Sequence, residues 1–136
     1  MNSRIIVVSH PGNDMFREYH LSIQITKCLI ERLHPELIAE ARDYYRQEIG
    51  ENAWRIMNKL FAIGGVLDMF FFTHSIHVFK KDDGSWISLG PRVLEVLKKE
   101  FPQSQEVEII ELTNLEVLPE HYHPEDSNRP GFNMPA

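Results

Sequence analysis

The stretch LFAIGGVLDMFFFTHSIHVFKKDDGSW, residues 60–86, decides the fold. A helical pattern runs into Gly64-Gly65, where residues without a Cβ can take the left-handed backbone that stops a helix. Residues 66–72 and 76–81 are two short apolar runs, too apolar for a strand wetted on both faces. The intervening THS is a short turn, which predicts an antiparallel hairpin. On 66–72, period two separates Leu67, Met69 and Phe71 from Val66, Asp68, Phe70 and Phe72. An unpaired buried carboxylate is costly, so Asp68 is assigned to the face away from the helices and Leu67, Met69 and Phe71 to the helix-covered face. On the second strand Ile76 and Val78 form the more apolar, inward set. Phe70, Phe72, His77 and Phe79 then share the outward face and are the partner-docking candidates.

On the N-terminal side, SRIIVVSH (3–10) is a β-branched run and PGND (11–14) is strong turn chemistry. FREYHLSIQIT (16–26) alternates, with Leu21, Ile23 and Ile25 opposite His20, Ser22, Gln24 and Thr26, and predicts a half-buried strand paired with the first. The period changes over 34–50, where Leu37, Ile38, Ala41, Tyr45 and Ile49 recur at helical spacing. Pro35 and Glu36 suit the first turn and Gly50 the stop. Asn52 is the expected cap of a second helix carrying Trp54, Met57 and Phe61 on one stripe. Beyond the hairpin, WISLGPRVLEVLKKEF (86–101) contains Pro91, whose ring would clash inside a continuous helix. An initial turn over 86–90, followed by a helix from Pro91, is the expectation. EVEIIEL (106–112) is the last strand. The order β-β-α-α-β-β-α-β predicts an α+β fold: two layers, a mainly antiparallel sheet of about five strands, and helices on one face. Residues 1–118 are read as one domain. Residues 119–136, PEHYHPEDSNRPGFNMPA, read as an acidic, Pro-rich, disordered tail dispensable for folding.

A chain of 136 residues, 43% hydrophobic and 25% charged, is one ordinary globular domain by these totals. The formal net charge is −6 and the Lys pairs 80–81 and 98–99 have acidic neighbours, which argues against phosphate-backbone binding and hence against nucleic acid. No apolar run approaches the roughly 18 residues of a membrane span, and the N-terminus shows no signal-peptide pattern. A single cysteine, Cys28, excludes an internal disulfide. A cytoplasmic protein is the expectation.

Residues 55–101 resemble the N-terminal domain of the Nfu/NifU-like scaffold proteins of iron–sulfur cluster assembly. The family's L-F-x-I-x-G-V helix end corresponds to Leu60, Phe61, Ile63, Gly65 and Val66. Its paired Phe falls on Phe70-Phe71 or Phe71-Phe72, its I-x-V strand on Ile76 and Val78, and its Trp, Leu and Pro on Trp86, Leu89 and Pro91. The family's T-P-N-P-N-type turn has only a loose counterpart in SHPGND, and 27–52 is longer than the family's usual link. Nfu-type proteins bind their cluster through a C-x-x-C motif in a separate C-terminal domain, and this sequence has no such motif. The resemblance therefore implies the fold and a process, not cluster binding, and no cofactor is expected.

No nucleophile elbow, zinc-protease or phosphate-loop pattern occurs, and no catalytic residues are assigned; the chain is not expected to be an enzyme. Cys28, beside Leu29 and Ile30, reads as a buried inert thiol. His74 and His77 sit on a turn and a strand, where they should not converge. The favoured function is a non-catalytic binding or adaptor module, accessory to iron–sulfur protein maturation, that docks a protein partner from that process. The alternative is a protein that handles iron or zinc through His121 and His123 with the tail carboxylates.

Overall fold

The computed structural model describes residues 4–27 and 30–112. They form one six-stranded sheet with four helices. The elements are β1 (Arg4–Ser9), β2 (Phe16–His20), β3 (Ile30–Leu33), α1 (Pro35–Glu40), α2 (Arg42–Ile49), α3 (Glu51–Ala62), β4 (Val66–Phe72), β5 (Ser75–Lys80), α4 (Trp86–Glu100) and β6 (Glu106–Glu111). The sheet order is β3-β4-β5-β2-β1-β6. Every neighbouring pair is antiparallel except β1 and β6, which run parallel. The α+β architecture expected from the sequence is the one observed, with β3 as an additional edge strand.

All four helices cover one face. Ile38 of α1, Ile49 of α2, five residues of α3 that include Trp54 and Leu60, and Val93 and Leu97 of α4 share a core with Ile5, Val7, Tyr19, Met69, Phe71, Ile76 and Val78 of the sheet. Phe71, Met69 and Ile76 are 0% exposed, so each contributes the full transfer free energy of a large apolar side chain, about 1.5–3 kcal/mol. Two ties fasten α4. Trp86 Nε1 donates to the Asp14 carbonyl in the turn between β1 and β2, and the Arg17 guanidinium lies 4.9 Å from the centre of the Trp86 ring.

Several local expectations are corrected. The alternating stretch 16–26 is a strand only to His20. Beyond it the Leu21 and Ile25 amides donate to the His74 and Thr73 carbonyls at the β4–β5 turn, at 2.8 and 2.6 Å, because the neighbouring strand has ended there. The helical pattern 34–50 is two helices broken at Ala41 (φ −147°, ψ 53°), and each buries one isoleucine. Gly50 (φ 90°), not Asn52, stands before α3. Leu67 does not join Met69 and Phe71 in the core. A bulge between Val66 and Asp68 shifts the register, so Val66 is buried and Leu67 is 41% exposed. The helix α4 is continuous through Pro91. The carbonyl that loses its partner there belongs to Ile87, a residue 89% exposed in the first turn, where water can replace the missing donor.

Candidate functional site

The sheet face away from the helices carries the chemistry. Strand alternation sends Phe16, Glu18 and His20 of β2 to this face, because Tyr19 between them belongs to the helix-side core. The register then places partners. Glu18 faces His77 of β5 and Val8 of β1, Phe16 faces Phe79, and His77 faces Phe70 of β4.

Glu18 is the hub. One carboxylate oxygen, Oε1, lies 2.9 Å from His20 Nε2 and 3.7 Å from His77 Nε2. The other, Oε2, lies 2.6 Å from His10 Nε2. Glu18, His20 and His77 are 4%, 3% and 8% exposed. His10 lies at the more open side of the group and stacks on Phe16 with ring centres 4.7 Å apart. Burial, the largest single influence, pushes the Glu18 carboxyl up. Hydrogen bonds with His10 and His20 and the charges of His77 and His20 together outweigh it, and the carboxyl is held well below the ordinary glutamate value. A carboxylate kept ionised among imidazoles on a nearly dry surface is an anionic centre able to hold a proton donor or a cation.

Aromatic rings frame this centre. Phe72 lies 4.5 Å from His77, Phe16 is stacked 5.1 Å from Phe79, and Phe79 is 5.6 Å from Phe70. The four docking candidates Phe70, Phe72, His77 and Phe79 thus lie together on the outer face. Their exposure differs: Phe72 and His77 are buried, whereas Phe70 and Phe79 are half-buried. Asp68, on the same face, is 6% exposed and pairs with Arg32 of β3 at 3.1 Å. The segment expected as a long link therefore supplies the edge strand that neutralises Asp68.

His77 does converge with other ligand-type groups, but across the sheet with Glu18 and His20 rather than with His74. The sequence reading missed Glu18, His20 and His10. The available signal was Phe16-x-Glu18-x-His20 on one strand face, obscured because a polar alternate face usually means solvent. His121, His123 and Cys28 lie outside the described residues. A groove of about 580 Å³ between α1, α3 and the start of β4, lined by Met57, Phe61 and Leu67 among others, stands apart from the Glu18 group.

The family described as scaffold protein Nfu/NifU N terminal matches residues 25–104. The crystal structure of protein SAV1430 from Staphylococcus aureus is similar with a TM-score of 0.50 at 19% identity, over 69% of this chain and 98% of that one. At that identity the likeness shows the fold alone. No curated relative matches the sequence. The matched span contains His77 and the three Phe residues 70–72, and begins after Glu18 and His20. It covers more than half of the sequence and the whole run from β3 to α4: the chain belongs to the Nfu/NifU N-terminal family.

Proposed function

We propose that the chain is a non-catalytic docking module that serves iron–sulfur protein maturation by holding a protein component or client of that process. The family match over residues 25–104 carries this reading. The outer sheet face supports it in form. Phe70 and Phe79 keep part of their surface exposed on the same sheet face as a buried charged centre, the combination of aromatic anchor and fixed electrostatics that protein interfaces favour. Among the described residues no helix is long and apolar enough to cross a membrane, and the proposed setting is the cytoplasm.

The full chain, used as bait in a native lysate, should enrich iron–sulfur assembly proteins or iron–sulfur clients by mass spectrometry. Phe70→Ala should lose that enrichment while the fold, followed by circular dichroism, is retained. Enrichment of unrelated proteins only, or an unchanged set with Phe70→Ala, would overturn the reading.

A further inference from the structure

We infer that Glu18, His20 and His77 form a binding site for a divalent first-row transition-metal ion, with His10 as an outer partner that orients the carboxylate. The donor atoms of the three residues all lie within 4.8 Å of one another. Ligand atoms bound about 2.0–2.2 Å from one ion can be no more than twice that distance apart. The 2.9 and 3.7 Å separations from Glu18 Oε1 to the two imidazole nitrogens already fall inside that limit. Small side-chain rotations close the remainder.

The donor set decides the class of ion. Two imidazole nitrogens and one carboxylate oxygen suit zinc, iron(II) and their neighbours, and suit the oxygen-seeking calcium and magnesium poorly. The framework is rigid. Glu18 and His20 stand two apart on a central strand, and His77 is the direct cross-strand partner of Glu18, so the ladder fixes the spacing before any ion arrives. His10, 2.6 Å from the other carboxylate oxygen, is placed as second-layer partners of metal-bound carboxylates are. Val8, 0% exposed and opposite Glu18, and the Phe72 ring against His77 keep the surroundings apolar. An ionised carboxylate there gains more from a cation than it would in water. His10, with 24% of its side chain exposed, marks the side from which an ion arrives.

The site lies on the same sheet face as the docking candidates and shares His77 with them, but it does not rest on the docking reading, and each can fail without the other. The test uses the full chain, stripped with a chelator and titrated with Zn²⁺ by calorimetry and with Co²⁺ by visible absorption. One equivalent should bind, with cobalt bands of a nitrogen–oxygen site. His20→Gln and His77→Gln keep an amide that can donate to Glu18. Each should weaken Zn²⁺ by more than about 100-fold, whereas His10→Ala should weaken it by about 10- to 100-fold, the range of an outer-layer loss. His74→Ala should leave binding unchanged. A readout free of substitutions is the long-range ¹⁵N spectrum of the imidazoles: Zn²⁺ should move Nε2 of His20 and His77. No stoichiometric binding, binding unaffected in folded His20→Gln and His77→Gln, or shifts confined to other histidines such as His121 and His123 would each overturn the proposal.

Discussion

Glu18 is held ionised by imidazoles on a face where burial pushes its carboxyl the other way. Its folded-state pKa is depressed below the ordinary 4.5. The charged form therefore belongs to the folded chain, and the stability Glu18 contributes is complete above that pH and lost as pH falls below it. Urea titrations across the acid range should show the wild-type chain losing stability below pH 4.5 more steeply than Glu18→Gln; equal acid slopes would contradict this account of the hub. Phe71 and Phe70 are adjacent and face opposite ways. Phe71→Ala, at a 0% exposed position, should cost about 3–5 kcal/mol, and Phe70→Ala clearly less. A reversed ranking in denaturation midpoints would invert the two faces. That assignment was legible in the sequence because Asp68 marks one side of the strand. Leu67 was misplaced by the same rule, since period two holds only until a bulge interrupts it, and nothing in Val66-Leu67-Asp68 announces the extra residue.

Among the elements, the corner between α2 and α3 is the sharpest local demand. Gly50 sits at φ 90° and ψ 164°, a region essentially closed to residues with a Cβ, although a Cβ there would touch nothing within 4 Å. Gly50→Ala should therefore destabilise through the backbone alone, by about 1–3 kcal/mol, measured by chemical denaturation. A neutral result would mean that the corner relaxes. Gly50 was readable as a helix stop, and the hairpin β4–β5 was readable from its apolar runs and short turn. The strand β3 was not. Four residues beside a helical pattern carry little period, and Ile30–Leu33 becomes a strand because the free edge of β4 offers it a ladder. Pro91 shows the opposite override. The local clash rule argued for a break, yet Trp86, Leu89, Val93 and Leu97 all reach the core from one uninterrupted helix.

At the scale of the whole molecule, fold and family were legible because residues 60–86 combine helix stop, hairpin and turn in a fixed order. The Glu18 group was not, because it is assembled from β2, β5 and the turn after β1, and only the sheet order brings these together. The single cysteine also sets an expectation, since iron–sulfur clusters are generally held by several thiolates. Anaerobic reconstitution should leave no stoichiometric cluster after desalting. A stable one that disappears in Cys28→Ser would contradict this and point to a site shared between two chains. The central claim is that the outer face of the sheet, rather than the helix layer, meets the partner. Phe70, on the outer face, and Ile87, 89% exposed on α4, can each be replaced by a photoreactive phenylalanine analogue and irradiated in native lysate. The account predicts that position 70 crosslinks to an iron–sulfur assembly component or client and that position 87 does not. Crosslinking of such a protein from position 87 but not from position 70 would contradict it.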